Sequence, residues 1–515
     1  MMGKQNDPQA PLFYPGFSFE KRIPSDHILR KISKLIDFTF AYNEVKEKYG
    51  SKGNVSVPPP IILKMMLLLI LYNLSSEREL MRSIPLRLDW MWFLGYDLGD
   101  DIPDHSVLSK ARKRWGVKVF KKLFERIVYQ CVKAGLVDGS KLFMDSSLIA
   151  ANASDESVIN KGLLDKHYLE LESRLAGKDC YSLSDQKKRS DSKDKNKKDD
   201  KPEDTERGTV NKKYQSTTDP DASLVRHGKG LTHLKYQIHR GVDERCEVIT
   251  TTEVTIGSVN EAHLLDKLIY THERNTLTSV DTVVADKKYG TIDNYLYCYD
   301  KSINAHIKPL EKTHRNTGKQ KDIFPKEKFI YDKDNDIFTC PAGQELTCRK
   351  FKKERNHFEY KAAKKICNNC NLKPQCTHDK NGRTLKRHIR QDELEIMYKK
   401  VSSHQSSDDI KTRQHLMERS FAQSDRYGFK KSRWRGLWRV QIQEYLTASI
   451  QNMKVLINNK PYRILAQRKR GEYINFSEIM GRLEGIFQYF YCLINYFIPI
   501  NHFGRDNFKL IEFQR

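Results

Sequence analysis

The chain has 515 residues, a formal net charge of +25 and ten cysteines. This length predicts two or three domains. The charge favours nucleic acid as a partner, although a basic, solvated surface explains it equally well. The start of the chain lacks the apolar segment of a secretory signal, and the apolar stretches at 61–72 and 486–500 are too short to span a membrane, so we expect a cytoplasmic protein. The cysteines are too few for a disulfide scaffold of this size.

The N-terminal part of the chain has a helical pattern. Apolar residues recur at helical spacing from Asp26 to about Val132, and the run ILKMMLLLILY follows a break at Pro58–Pro60. The segment DDIPDHSVLSKARKRWG then predicts a capped helix whose exposed side carries basic residues, among them Arg112. These cations suit phosphate contacts, and a solvated basic face is an equally good interpretation. We expect an all-helical domain over residues 1–135.

From Lys141 the pattern changes to short strands rich in β-branched and aromatic residues, KLFMD, KYQIHRGVD, EVITTTEVT and SVDTVVAD. Helical stretches follow the third and fourth strands, so the pattern predicts an α/β fold with a mixed sheet. Residues 182–213 are almost entirely charged or polar, which predicts a flexible loop. Helices are expected again near Lys411–Tyr427 and Val440–Asn458, and the second should close the core with an apolar face.

Two aspartates follow apolar strands, where side chains from neighbouring strands converge. Asp145 follows KLFM, and Asp286 follows TVVA. Phosphodiester chemistry with divalent cations needs such converging carboxylates, because the metals clamp the attacking and leaving oxygens. Taken singly, each aspartate is more simply a turn or cap residue. The pair becomes informative only together with its surroundings.

The surroundings of these aspartates form ordered blocks along the chain. MDSSLIAANAS follows the first strand, VADKKYGTIDNY follows the fourth, and HLMERSFAQSDRYGFKKSRWRGLW lies much later. TTDPDASLVRHGKG and EVTIGSVNEAHLL lie between the aspartates, and PPIILKMMLLLILYNLSSERELMRSIPLRLDWMWFLG lies before them. In this order, the blocks resemble the DDE transposases of bacterial insertion sequences over about Asp26 to Leu456.

The resemblance implies a ribonuclease H-like core whose acidic triad is Asp145, Asp286 and Glu418, binding Mg²⁺ or Mn²⁺. It implies that activated water cleaves the transposon end and that the freed 3′ hydroxyl then attacks target DNA. Double-stranded DNA is the implied partner, with a homodimer on the two ends and a location at the nucleoid. A hydrolysis-only nuclease of the same fold and a non-catalytic DNA-binding relic stay open as alternatives. Glu418 beside Arg419 is otherwise explained as a surface ion pair.

One position departs from the family pattern. Relatives commonly carry a lysine seven residues after the glutamate, where this chain has Asp425. A negative charge therefore stands where the pattern has a phosphate-contacting cation. Lys430 and Lys431 are candidates to replace that cation, and a decayed copy of the enzyme is the alternative.

The basic segment after the glutamate suits DNA. In KKSRWRGLWR the cations are interleaved with two tryptophans, and guanidinium groups grip phosphates while aromatic rings stack on bases. The alternative is that both tryptophans are core residues. The predicted DNA-binding residues are Arg413, Arg419, Lys430, Lys431, Arg433, Trp434 and Arg435.

Four cysteines suggest a structural metal site. The spacing C-x26-C-x2-C-x5-C is formed by Cys340, Cys367, Cys370 and Cys376. Four thiolates suit a tetrahedral Zn²⁺ ion, with Cys348 and His378 as possible substitutes. FTCPAG and KICNNCNLKPQC both resemble a cysteine-rich insertion in a branch of the same transposases. Free thiols are the alternative, and a redox pair is disfavoured because no thioredoxin-like strand precedes it.

These observations divide the chain into segments. A helical N-terminal domain is expected at 1–135, and a zinc-binding insertion at 323–384. The ribonuclease H-like core is expected to take the two segments 136–322 and 385–475. A tail of unknown role covers 476–515.

Overall fold

A computed structural model describes residues 1–3, 18–51, 53–163, 209–226, 231–310 and 323–459 of the chain. The expected tail at 476–515 lies outside these residues, as does most of the loop expected at 182–213. The last residues of that loop, Thr209–Lys213, form a short helix. Among the described residues, no helix is both long enough and apolar enough to cross a membrane.

The N-terminal region is helical, as its sequence predicts. Its helices are α1 (Phe19–Arg22), α2 (Ile28–Leu35), α3 (Phe40–Val45), α4 (Pro59–Leu71), α5 (Glu77–Ser83), α6 (Leu88–Leu94), α7 (Ser106–Trp115) and α8 (Lys118–Lys133). Helix α4 begins with two prolines, which fit the first turn because the amide hydrogens there have no helical partner. Nearly all of its side chains are buried. It is therefore the central helix of this region, since a helix that is apolar on all sides must be enclosed.

Arg112 is buried, so its predicted place on an exposed basic face is wrong. Its relative exposure is 4%. The guanidinium forms an ion pair with Glu77 and lies over the ring of Trp434 with 4.0 Å between the guanidinium carbon and the ring centroid. The carboxylate and the aromatic face offset part of the desolvation of the cation, but burial still lowers the pKa of Arg112.

The central sheet is mixed, which confirms the α/β class. Its strands are β1 (Lys141–Ala150), β4 (Ser223–Arg226), β5 (Thr232–Asp243), β6 (Ile249–Ile256), β7 (Thr282–Val284) and β8 (Asn304–His306), and a separate ribbon pairs β2 (Val158–Asn160) with β3 (Tyr214–Ser216). β5 pairs antiparallel with β1, β4 and β6. β7 pairs parallel with β1 and with β8. Three further helices are α9 (Thr209–Lys213), α10 (Leu265–Thr276) and α11 (Ile292–Asp300).

β1 is longer than the sequence predicts. The residues after Met144 continue to pair with β5 as far as Ala150, so Asp145 lies within the strand and not at its end. Its partner across the ladder is Arg240. Backbone pairing sustains the strand here after the run of apolar side chains has ended.

The cysteine-rich segment forms a second, antiparallel sheet of five strands, in which each strand pairs with the next one along the chain. Its elements are β9 (Ile330–Asp332), β10 (Ile337–Thr339), β11 (Glu345–Lys352), β12 (His357–Lys361), α12 (Lys364–Asn368), α13 (Lys373–Cys376) and β13 (Thr384–His388). Phe338, Tyr360 and Leu385 belong to a hydrophobic cluster separate from those of the central sheet. The segment therefore has a core of its own.

Three helices complete the described chain, α14 (Gln391–Val401), α15 (His404–Asp425) and α16 (Leu437–Asn458). The apolar face predicted for α16 is buried, as at Ile442 and Leu446, but so are polar residues such as Gln443 and Glu444. Side chains of α16, β1 and the N-terminal helices share one hydrophobic cluster. Helix α16 is thus enclosed on all sides, which explains why its sequence is less amphipathic than that of a surface helix.

Candidate catalytic site and cysteine cluster

Asp145 points to the side of the central sheet that α15 covers. Successive side chains of a strand alternate between faces. Phe143 packs in the cluster shared with α15 and α16, whereas Leu142 and Met144 pack in the cluster on the opposite face. Asp145 therefore shares the face of Phe143, and its Oδ2 lies 2.5 Å from Nη1 of Arg413 on α15. Strand β1 and helix α15 together position this carboxylate.

Asp286 approaches the same arginine from the neighbouring strand. It follows β7, which runs parallel to β1, and its Oδ1 lies 4.0 Å from Nη2 of Arg413. The Arg413 side chain is only 10% exposed. The structure thus brings together two of the three predicted acids around one buried guanidinium, as expected for residues at adjacent strands of one sheet.

The electrostatic balance of this cluster is acidic. Burial raises the pKa of Asp145 above its usual 3.8, the Arg413 guanidinium opposes that shift, and Asp286 and Glu261 add repulsion. The Arg413 guanidinium therefore does not fully compensate the desolvation of the Asp145 carboxylate. A nearby opposite charge would favour the ionised form of Asp145.

Glu261 is a site residue that the sequence interpretation missed. It lies just after β6 and is 3% exposed. It accepts a hydrogen bond from the Ser146 hydroxyl, and its Oε1 lies 2.7 Å from Nζ of Lys288. Glu261 lies in the block EVTIGSVNEAHLL, so the sequence feature that could have indicated it is the family resemblance of that block. Glu261 thereby holds a cation close to the two aspartates.

Tyr289 lies beneath these carboxylates. Its ring is fully buried, and its hydroxyl has no hydrogen-bond partner among the described residues. Burial raises the pKa of Tyr289, and the charges of Glu261, Asp145 and Asp286 raise it further. The hydroxyl therefore stays protonated and remains a neutral donor beside the acids.

Glu418 lies on α15 five residues after Arg413 and points away from it. At about 100° per residue, the two side chains project about 140° apart around the helix. Glu418 is exposed, and its Oε1 accepts a hydrogen bond of 3.2 Å from Gln414 Nε2. Among the described residues, no hydrogen bond or ion pair joins it to Asp145 or Asp286. Of the three predicted acids, only Asp145 and Asp286 lie within 4.0 Å of Arg413.

The four cysteines predicted to bind zinc line one small cavity. Cys340, Cys367, Cys370 and Cys376 surround a space of about 30 Å³, whereas Cys348 and His378 do not line it. The Gln344 amide donates to Cys340 Sγ at 3.4 Å. Gly382 has a φ of +85°, and a Cβ at this position would lie 2.9 Å from Cys367 Sγ. The chain thus converges on the cavity from both cysteine segments.

Comparisons with protein families match two parts of the chain. A transposase domain (DUF772) matches residues 17–114, from α1 into α7. A transposase DDE domain matches residues 339–457, which include the cysteine cluster, α15 and α16. Both matched models are transposase domains, and together they support an insertion-sequence DDE transposase. Searches of curated proteins and of solved structures gave no match. The family resemblance found in the sequence is confirmed, and the transposase domains imply DNA binding.

Two of the predicted DNA-binding residues join the part of the chain that the DDE domain matches to the N-terminal helices. Arg433 Nη2 donates to Asn73 Oδ1 at 2.5 Å. Trp434 donates from Nε1 to Glu77 Oε1 at 3.2 Å, and Arg112 covers one face of its ring. That covered face is not open to a base.

The other predicted DNA-binding residues differ in their exposure to solvent. Lys431 and Arg435 are exposed, and Arg435 Nε donates to the Asn152 carbonyl at 3.0 Å. Arg419 is 59% exposed, and its Nη2 lies 2.6 Å from Glu247 Oε1. Arg413 contacts the acids and is buried.

Lys430 lies near the position where the family pattern has a lysine. Its Nζ is 3.4 Å from Asp425 Oδ2, and its side chain is 78% exposed. The turn after α15 thus places the ammonium group of Lys430 next to Asp425. The pair is weak, because solvent screens exposed ion pairs.

DDE transposases normally use divalent metal. Among the described residues of this transposase, no group of three or more His, Cys, Asp or Glu side chains is arranged closely enough to hold a metal ion. The donors nevertheless suit two kinds of ion. Carboxylate oxygens around Asp145 and Asp286 are the ligands that Mg²⁺ and Mn²⁺ prefer, and four thiols around one cavity are the ligands that Zn²⁺ prefers.

Proposed function

We propose that this transposase cleaves transposon ends and transfers them to target DNA at a site built from Asp145, Asp286 and Glu418. The convergence of Asp145 and Asp286 on Arg413 carries this proposal. The carboxylates would hold Mg²⁺ or Mn²⁺, which supplies activation of the attacking oxygen and neutralises charge on the phosphate. Glu418 is the third acid of the proposal because it lies on the helix that carries Arg413.

Other residues of the chain would position this site. Arg413 holds the two aspartates side by side across adjacent strands. Lys288 has an exposed side chain anchored by Glu261, and the charges of Asp286 and Asp145 also act on it. Its ammonium group would contact the scissile phosphate, since a compact cation suits a phosphate oxygen. Glu261 would serve as a positioning residue for Lys288.

We propose a ribonuclease H-like architecture for the central sheet, with Asp145 on its middle strand and Asp286 after the neighbouring parallel strand. The core would take 136–322 and 385–475, and the helical domain would take 1–135. The segment 323–384 would be a structural zinc module, supported by its separate hydrophobic cluster and by the four converging thiols. A DNA substrate places the enzyme at the nucleoid in the cytoplasm, with two copies acting on two ends.

The test is cleavage and joining of labelled duplex DNA that carries the sequence flanking the gene. Wild type should cut with Mg²⁺ or Mn²⁺ and join the freed 3′ end to a second duplex. Asp145→Asn, Asp286→Asn and Glu418→Gln should each lower the rate by 10³-fold or more, because removing one ligand disables metal-assisted transfer. Asp408→Asn is the matched control, since Asp408 is a half-exposed acid on the same helix that pairs with His404 and Lys411.

The outcomes separate the possible functions. Cutting without joining would identify a hydrolysis-only nuclease. If metal-dependent cutting persists in Glu418→Gln but is lost in Glu261→Gln, the third acid of the site is Glu261 and not Glu418. Binding without cutting in every preparation, including Asp425→Lys, would identify a DNA-binding relic. Sedimentation of the protein on paired ends tests the homodimer.

A further inference from the structure

A second charged site lies between the cysteine-rich sheet and α14. It is a cleft of about 970 Å³ lined by residues of both elements. Seven lysine and arginine side chains and three carboxylates line it, an excess of four positive charges. Pockets for small molecules are lined mainly by apolar side chains with a few polar groups. The composition of this cleft therefore favours a polyanion.

Some of its cations are already paired. Asp392 Oδ1 lies 2.5 Å from Arg387 Nη2, and Asp392 Oδ2 lies 3.0 Å from Lys333 Nζ. The Arg387 guanidinium also lies over the Tyr331 ring, 4.0 Å from its centroid. These contacts stabilise the walls of the cleft.

Three other cations lack such partners. Arg355, Lys386 and Lys399 are exposed, and among the described residues none of them forms an ion pair or a side-chain hydrogen bond. They come from the turn before β12, from β13 and from α14. Cations held in one cleft without counter-charges repel one another, so an anion that bridges them is stabilised.

The two walls of the cleft pack in different hydrophobic clusters. Leu385, next to Lys386, packs in the cluster of the cysteine-rich sheet. Leu394 and Met397 of α14 pack in a cluster of the central sheet. Lys386 and Lys399 therefore lie on elements whose neighbouring side chains are packed in hydrophobic clusters, which suits recognition of a regular phosphate backbone.

We propose that this cleft binds the phosphodiester backbone of duplex DNA through Arg355, Lys386 and Lys399. The proposal rests on the transposase acting on DNA and names a contact surface outside the acidic cluster. Helix α14 leads within a few residues into α15, which carries Arg413 and Glu418. DNA held in the cleft is thus bound by the chain segment that leads directly into the catalytic helix.

The test compares two triple variants of the full chain. One is Arg355→Ala, Lys386→Ala and Lys399→Ala. The other removes the same charge from exposed lysines of the cysteine-rich segment that do not line the cleft, Lys353→Ala, Lys364→Ala and Lys365→Ala. Fluorescence anisotropy with a labelled duplex measures affinity from 50 to 300 mM salt, with zinc content and melting temperature checked for each protein.

The cleft variant should bind at least tenfold more weakly than wild type at the lowest salt. The slope of log affinity against log salt should be smaller by about 2.7, because each phosphate contact contributes roughly 0.9. Lys386→Arg, which keeps the charge, should bind like wild type. Equal affinity and slope for the two triple variants would overturn the proposal, as would a preference of the cleft for structured RNA over duplex DNA.

Failure of the catalytic proposal gives a different result. If wild type binds DNA through the cleft but does not cut it in the presence of metal, the DNA-binding cleft is supported and the catalytic role of the acidic site is refuted. If wild type cuts DNA and the two triple variants bind DNA equally well, the catalytic role of the acidic site is supported and the DNA-binding cleft is refuted. The two assays therefore report on separate parts of the molecule.

Discussion

The buried ion pair between Arg240 and Glu444 gives the sharpest test of how the site is supported. Both side chains have 0% exposure, and the pair is bidentate, with Nε to Oε1 at 2.7 Å and Nη2 to Oε2 at 2.8 Å. Arg240 also donates from Nη1 to the Ser420 carbonyl of α15 at 3.0 Å, and Thr252 donates to Glu444 at 2.7 Å. Because Arg240 stands opposite Asp145 across the strand ladder, this network joins the sheet to the helix beside the acids.

Glu444→Gln removes the negative charge while it keeps the shape of the side chain. Arg240 then stays buried without a counter-charge, so the free energy of unfolding should fall by about 3–5 kcal/mol. The double variant Arg240→Met with Glu444→Leu removes both charges. It should be less destabilised than Glu444→Gln, because no uncompensated charge remains in the core.

Urea unfolding followed by far-ultraviolet circular dichroism and by tryptophan fluorescence measures these changes. Glu253→Gln is the control, because Glu253 pairs at 2.9 Å with Lys267, whose side chain is 54% exposed, and such a pair contributes at most about 1 kcal/mol. Cleavage by Glu444→Gln should also fall, since α15 loses its anchor beside Asp145. A loss below about 1 kcal/mol, or a double variant less stable than Glu444→Gln, would refute the reasoning.

Three more outcomes follow from the structure. Asp145→Asn should melt at a higher temperature than wild type at pH 7. Burial raises the folded-state pKa of Asp145, so the stability that comes from its bound proton is present below about pH 3.8 and is lost as the pH rises through the folded-state pKa. The melting temperatures of the two proteins should therefore converge near pH 3. Cys370→Ser should lower the zinc content measured by elemental analysis, whereas Cys348→Ser, outside the cavity, should not; equal losses would contradict the site. Asp425→Ala should release Lys430 and tighten DNA binding a few-fold in anisotropy, and unchanged affinity would count against that pairing.

Local patterns in the sequence were sufficient for much of the fold. The period of apolar residues predicted the N-terminal helices and a helix at Val440–Asn458, which the structure extends to Leu437–Asn458. The β-branched runs predicted the strand that contains Asp145 and the strand that Asp286 follows. Because these two strands are neighbours in the sheet, both aspartates reach Arg413, although Asp145 lies within its strand and not at the end that the sequence predicted. The order of the sequence blocks indicated the transposase family, and two transposase family models match parts of the chain.

Only the tertiary structure decided which partners these residues meet. Ser146 and Glu261 are 115 positions apart in the chain, and Arg413 and Asp145 are 268 apart, so no local period predicts their contacts. Sequence spacing likewise did not reveal that Arg112 is buried against Trp434. The face on which Glu418 lies is set by how α15 packs on the sheet. The sequence by itself determined the elements and the family, because those depend on neighbours along the chain. The topology determined the charge balance of the site, because that depends on which distant side chains are buried together.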